Sequence, residues 1–402
     1  MVIIAGLSAL LAWFYYPDSS PPPIRIGVLH SLTGTMAVSE APLVDAVRLA
    51  VDEINAQGGL LERPLEMVMA DGRSDWNVFA AEAERLITQE KVSVLFACWT
   101  SACRKAVKPV VERHRHLMFY PVQYEGLEQS PNILYTGSAP NQQIIPGTYW
   151  AMQQFGKRIY LLGSDYIFPR VANLIIHELA ASNGGEILGE RYLPLGGTAV
   201  ADIVADIQAQ RPDVVLNTLN GDSNAHFFAA LEQAGLADLP LLSFSVAENE
   251  MRAWQGTHLK QHYAVWNYFQ SLPNEENRRF VSAFQAHFPN TQNTIDDPME
   301  ASYAGVRLWA QAVQEAGSVD PLRVNTAVLL RQSLSGPSGV AAVDPATRHL
   351  WKRVRVGRVL PDGQFEPVFT SSALLRPTPW PLQRSREAWQ ALLDTLPAGK
   401  LP

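Results

Sequence analysis

The stretch Phe96-Ala97-Cys98-Trp99-Thr100-Ser101-Ala102-Cys103-Arg104-Lys105-Ala106-Val107 decides the fold of this chain. Val92 to Phe96 is a short apolar, β-branched run of the kind that forms a buried parallel strand, and Ala102 to Arg113 carries a helical pattern. The junction is a strand, a tight turn and a helix start. Thr100 and Ser101 are good N-caps, and the first helical turn offers free backbone N–H groups and a positive dipole end, which suit a carbonyl oxygen or an anion. In an open α/β sheet, crevices at the carboxyl ends of strands are where ligands sit. The competing reading is an ordinary capped helix with no ligand.

Outward from this turn the chain alternates strands and helices. Ile24 to Leu29 reads as a strand, and Leu43, Ala46, Val47, Ala50 and Ile54 share one helical face that stops at Gly58-Gly59. Leu65 to Ala70 is the next strand, and Asp75 caps a helix with Phe79, Ala83, Leu86 and Ile87 inward. Leu117 to Tyr120 and Ile133 to Tyr135 add two short strands. The order starts again at Arg158 to Leu162, with a helix from Val171 closing at Asn183-Gly184-Gly185 and strands at Ile187 to Leu193, Val214 to Thr218 and Leu241 to Phe244. Repeated βα order calls for parallel sheets between helices, and two successive arrays imply two lobes. A strand at His262 to Trp266 leads into helices over Glu275 to His287, Met299 to Ala316 and Pro321 to Leu334. Leu350 to Val359 and Phe365 to Thr370, around Pro361-Asp362-Gly363, read as a hairpin.

The 402 residues, 47% hydrophobic and 18% charged, make an ordinary globular composition long enough for two domains. A net charge of −7 argues against nucleic acid as a partner. Val2 to Tyr16 is an uncharged apolar run followed by Pro17-Asp18-Ser19-Ser20-Pro21-Pro22-Pro23, which reads as a signal or anchor segment with an extended tether. Fifteen residues fall short of the roughly 20 that span a bilayer. With this segment the body of the protein is expected outside the cytoplasmic membrane.

The sequence carries no G-x-S-x-G, H-E-x-x-H, C-x-x-C or P-loop motif, so a binder is favoured over an enzyme, with no cofactor and no metal expected. His114 and His116 read as the solvated end of a helix. Cys98 and Cys103, the two cysteines, straddle the central turn; a disulfide between them is left open, because so short a span across a strand-to-helix bend strains the geometry. The strand-end turns are instead rich in aromatics and neutral polar groups: Trp99, Thr100 and Ser101; Tyr120, Gln123 and Tyr124; Tyr166; Asn220 and Asp222; Trp266 and Tyr268. Aromatic walls with a few placed donors and acceptors are what a small, polar, uncharged ligand requires.

Several blocks together resemble the urea-type substrate-binding proteins of ABC transporters. They are Arg25-Ile26-Gly27-Val28-Leu29-His30-Ser31-Leu32-Thr33-Gly34-Thr35-Met36, Cys98-Trp99-Thr100-Ser101, Phe119-Tyr120-Pro121-Val122-Gln123-Tyr124-Glu125-Gly126, Gly163-Ser164-Asp165-Tyr166-Ile167-Phe168-Pro169-Arg170 and Asn217-Thr218-Leu219-Asn220-Gly221-Asp222-Ser223-Asn224. The likeness runs on to roughly Trp380. It implies a type I periplasmic-binding fold, two doubly wound parallel-sheet lobes joined by three hinge crossings near Asn141, Trp266 and Gly336. Lobe 1 is then residues 24–140 plus 269–336, lobe 2 residues 141–268 plus 337–380, with the segment 1–23 before and a short amphipathic tail, 381–402, after. The same likeness brings Trp99-Thr100-Ser101, Tyr120 and Tyr166 to the ligand, with Trp replacing the Tyr of the related amide sensors, and leaves Glu248 facing the cleft. The implied function is an extracytoplasmic solute-binding protein that closes on urea or a short-chain amide for delivery to an ABC transporter permease. The alternatives are a membrane-anchored sensor domain for such amides, or a branched-chain amino acid binder.

Overall fold

The computed structural model describes residues 21–254, 259–330 and 332–395, so the segment expected as an anchor lies almost wholly outside the described residues. The first array runs β1 (Ile24–His30), α1 (Ala37–Ala56), β2 (Leu65–Asp71), α2 (Trp76–Thr88), β3 (Leu95–Ala97), α3 (Ser101–Arg113), β4 (Met118–Tyr120) and β5 (Ile133–Tyr135). After α4 (Ile144–Gln154) the second runs β6 (Arg158–Ser164), α5 (Ile167–Ser182), β7 (Glu186–Leu193), α6 (Ala201–Gln210), β8 (Val214–Thr218), α7 (Ser223–Gln233), β9 (Leu241–Ser243), α8 (Glu248–Ala253) and β10 (His262–Trp266). Then come α9 (Glu275–His287), α10 (Asp297–Ala316), α11 (Pro321–Ala327), β11 (Ser333–Gly336), β12 (Gly339–Asp344), β13 (His349–Trp351), β14 (Arg355–Val359), β15 (Phe365–Thr370) and α12 (Arg386–Leu393).

The strands form two sheets. One has the order β11-β12-β13-β5-β4-β3-β1-β2 and the other β15-β14-β10-β9-β8-β6-β7. In each, the strands of the βα array are parallel, as their apolar, doubly covered sequences require, and the added antiparallel strands lie at one end. The result is two α/β lobes. Local chemistry sets the helix starts: Asp75 accepts from the N–H groups of Asn77 and Val78, Thr100 from Cys103, and Asp296 from Met299.

Three expectations fail near the C-terminus. The helix expected over Pro321 to Leu334 stops at Ala327, and Gly336 marks no crossing. Gly336 instead pairs with Gly339 across the turn of the β11–β12 hairpin, so β12 and β13 stay in the first sheet. The strand expected over Leu350 to Val359 is two strands in different sheets, and the chain changes lobe between Trp351 and Arg355. Residues 337–351 thus belong with lobe 1.

Asn267 fastens the region between the sheets. Its side-chain amide donates to the carbonyls of Gln142 (3.2 Å) and Arg353 (2.9 Å) and accepts from Ser138 Oγ (2.5 Å), and its backbone N–H donates to Asp297 (2.9 Å). The expected tail is a docked helix: Trp389 of α12 is fully buried in the second lobe's core, its indole N–H donating to Pro381 O (2.7 Å). Among the described residues no helix is long and apolar enough to cross a membrane.

Candidate functional site

The turn after β3 is pinned from within. Cys98 takes a left-handed backbone (φ +69°), which brings its Cα to 5.6 Å from that of Cys103, and the two form a disulfide. Thr100 Oγ1 caps α3 by accepting from Cys103 N (3.1 Å). The cross-link closes so small a loop that the chain-entropy estimate is about 2 kcal/mol. Cys103→Ala is therefore expected to lower the melting temperature of the oxidised protein measurably. Added reductant should shift wild type toward the variant and leave the variant unmoved, as a calorimetric scan would read.

One turn further, Arg104 sits fully buried on the inward face of α3. Its nitrogens donate to Ser101 Oγ (2.9 Å), Glu125 Oε1 (2.9 Å) and Glu128 Oε1 (2.8 Å), while Ser101 Oγ donates to Glu125 Oε2 (2.5 Å). Burial would raise the Glu128 carboxyl, but Arg104 and Lys105 outweigh it and hold it at about 2. Burial likewise opposes the charge on Arg104, yet Glu128 and Glu125 keep it firmly protonated. The Ser101–Glu125 contact is no nucleophile–base pair, because that carboxylate is engaged by a guanidinium. Each nitrogen of Arg104 likewise donates to a protein group.

The second lobe brings Tyr166 onto this surface. The charges that act on its hydroxyl include Glu125, Arg104 and Glu40 of the first lobe, and burial holds it protonated. Tyr166 donates to Asn220 Oδ1 (2.6 Å), leaving the buried Asn220 Nδ2 without a protein partner. Trp76 at the start of α2 packs against both hydrophobic clusters of the molecule, its ring 6.5 Å from that of Tyr166. Tyr120 donates to Trp99 O (2.7 Å), which fixes the Trp99 turn. Gln123 reaches across to Phe244 O (2.9 Å) and Ser245 Oγ (3.1 Å). The lobes approach so closely that a Cβ on Gly221, itself at φ +61°, would stand 2.7 Å from Thr35 O. Thr35 Oγ1, Ser39 Oγ, Glu40 Oε1 and Ser223 Oγ, at helix starts of the two lobes, are also buried and unpartnered. Orphaned polar atoms from both sides of a closed cleft call for something polar between them.

Residues 24–386 match the family described as periplasmic binding protein domain. The chain belongs to that family. It is 31% identical over 110 residues to a limonene hydroxylase of Geobacillus stearothermophilus, a match covering 27% of this chain, and 33% identical over 111 residues to Leu/Ile/Val-binding protein homolog 7 of Brucella suis biovar 1, covering 28%. It spans only 20% and 27% of the length of those curated relatives. A solute-binding protein of an ABC transporter from Rhodopseudomonas palustris HaA2, solved with p-hydroxybenzoic acid, superposes with a TM-score of 0.81 at 23% identity, over 90% of this chain and 99% of that one. That likeness matches the two-lobed type I fold.

In this periplasmic binding protein the residues expected at the site divide. Trp99, Thr100, Ser101 and Tyr120 are held together at the strand ends of lobe 1, Gln123 bonds across to lobe 2, and Tyr166 and Asn220 pair at the strand ends of lobe 2. Trp99 and Tyr166 pack in two different hydrophobic clusters, the one around Trp99 running through both lobes. Tyr124 points away into lobe 1, stacked on Tyr135 at 5.0 Å, its hydroxyl shared with Glu128 O and His349. Trp266 is fully buried with its indole N–H on Val246 O (2.8 Å), and the Tyr268 hydroxyl donates to Asn277 (2.6 Å). Asp222 is exposed at the start of α7 and makes no capping bond. Glu248 is buried and accepts from Gln270 N (2.9 Å), facing Asp296 and Asp297 at the base of α10. Glu40, Trp76, Arg104 and Glu125 are additions that strand-end reading did not single out.

Proposed function

We propose that this chain is the extracytoplasmic binding component of an ABC transporter and closes on a small uncharged amide, with urea the first candidate. The observation that carries this is the state of Arg104: the buried cation that holds Ser101 is neutralised by Glu125 and Glu128, so no carboxylate of a ligand can claim it. A benzoate or an amino acid would bring an anion into a buried site with no free counter-charge from Arg104, at a desolvation cost of several kcal/mol. A neutral amide can use the unpaired Asn220 Nδ2 and the hydroxyls of Thr35, Ser39 and Ser223. Binding is favoured over hydrolysis because Ser101 lacks a free base. A membrane tether formed by Val2 to Tyr16 belongs to the same reading and is testable by cell fractionation.

The test is titration calorimetry of the purified protein against urea, acetamide, leucine and 4-hydroxybenzoate. Saturable heat with urea or acetamide, and none with the two carboxylates, is the expected result. Binding of leucine or hydroxybenzoate without either amide would overturn the reading.

A further inference from the structure

Glu40 lies in the first turn of α1, fully buried. Its Oε2 accepts from Ser31 N (2.7 Å), at the carboxyl end of β1, so the side chain folds back over the strand-end crevice. Among the described residues its Oε1 has no hydrogen-bond partner and no Lys or Arg forms an ion pair with it; His30 Nδ1 stands 3.8 Å from Oε2, and neither ring nitrogen is hydrogen-bonded. The start of α1 and the Asn220 turn meet across the cleft, where a Cβ on Gly221 would stand 2.7 Å from Thr35 O, so Glu40 and Asn220 Nδ2 flank one contact between the lobes. The two orphaned atoms, an acceptor on lobe 1 and a donor on lobe 2, are of opposite kind.

We propose that Glu40 is the specificity-determining acceptor of this cleft: Glu40 Oε1 takes an N–H of the ligand while Asn220 Nδ2 gives a hydrogen bond to the ligand's carbonyl oxygen. The inference rests on the amide reading above and narrows it to ligands bearing an unsubstituted NH2 beside a C=O. A primary amide or urea satisfies both atoms at once. A carboxylate of the same shape offers no N–H and meets Glu40 as a like charge. Specificity then comes as much from rejection as from attraction.

The experiment compares acetamide, urea and acetate, the last being acetamide with its NH2 replaced by oxygen, by calorimetry on wild type and on Glu40→Gln. Wild type is expected to bind urea or acetamide and not acetate. Glu40→Gln should weaken amide binding by about 10- to 100-fold, the range for losing a hydrogen bond to a charged group, and narrow the preference over acetate. Glu40→Asp, which keeps the charge but withdraws it by one methylene, should weaken the amide while still rejecting acetate, and serves if Glu40→Gln melts early. A variant that binds amide as tightly as wild type with the same rejection of acetate overturns the role of Glu40 and leaves the amide reading standing. Wild type that binds no amide overturns both.

Discussion

Arg104→Leu should lower the stability of the protein by about 3–5 kcal/mol and abolish ligand binding, because it strands two buried carboxylates at once. Glu125 and Glu128 are nearly inaccessible, and their close cationic contacts come from Arg104, with Lys105 touching Glu128 at 3.1 Å. The Glu128 carboxyl bounds its own share from above, because Lys105 and Lys108 also hold it down and remain in the variant. Held at about 2 in the folded protein against an ordinary value of 4.5, at about 1.4 kcal/mol for each pKa unit, it contributes about 3 kcal/mol at neutral pH. Its folded value lies below its unfolded one, so this support is complete above pH 4.5 and is lost as pH falls toward 2. Calorimetric melting should show the variant down by roughly 10 °C at pH 7, with the gap to wild type narrowing below pH 4. Binding fails separately, since Ser101 loses the guanidinium that orients it. Replacing Arg104, Glu125 and Glu128 together by apolar residues should recover much of the stability, because the penalty is that of unpaired charge. A melting point for Arg104→Leu within a degree or two of wild type would sink this account.

The same arginine illustrates what the sequence discloses. A charge at position 104 sits one turn before Val107, on the apolar face of its helix, and Glu40 stands one turn before Leu43 in the same way. A charged residue on an inward face is a readable signal of a buried ion pair or a ligand contact. Strand-end aromatics signal less. Trp99, Tyr120, Tyr124, Tyr166, Trp266 and Tyr268 look alike in sequence, and only packing separates Tyr166, whose hydroxyl meets Asn220 at the cleft, from Tyr268, whose hydroxyl is absorbed by Asn277. The alternating strands and helices of both lobes were legible because a doubly covered strand must be apolar and a helix must be capped. The last lobe change was not. From Trp351 to Arg355 the sequence carries no glycine, proline or asparagine turn, yet Lys352 to Val354 leave one sheet for the other, Arg353 O accepting from the Asn267 amide and Val354 N donating to Ser371 Oγ. Conversely Gly336-Pro337-Ser338-Gly339 reads as a break and is a hairpin turn.

Ligand affinity should fall as pH rises from 5 to 8, because closing the lobes buries carboxyl groups that prefer to be protonated. Glu250 on α8 of the second lobe meets Asp296 at the start of α10 on the first. Burial raises both, and the proximity of Glu250 raises Asp296 further. Glu248 beside them is raised by burial and by Asp296 and Asp297. The groups packed around the pair do not discharge it. Asn249 donates to Asp296 Oδ2 (2.7 Å), and Ala247 N donates to Glu250 Oε2 (3.0 Å). Lys352 and Arg355 act on Asp297 and Glu300 instead, and Arg252 reaches Thr294 and Gln292 at the rim. A closed form that brings these carboxyls together binds more protons than an open one that separates them. Its support is complete below the ordinary carboxyl range near pH 4 and is lost as pH climbs through the raised values, by up to about tenfold in affinity per pH unit for each proton involved. Glu250→Gln removes the like-charge contact and keeps the hydrogen-bonding shape, so its affinity should be higher than wild type at pH 8 and its profile flatter. Calorimetry at pH 5, 6, 7 and 8 with one amide reads this directly. A wild-type affinity constant across that range, or a Glu250→Gln profile parallel to wild type, would show that the two carboxyls are not brought together by closure.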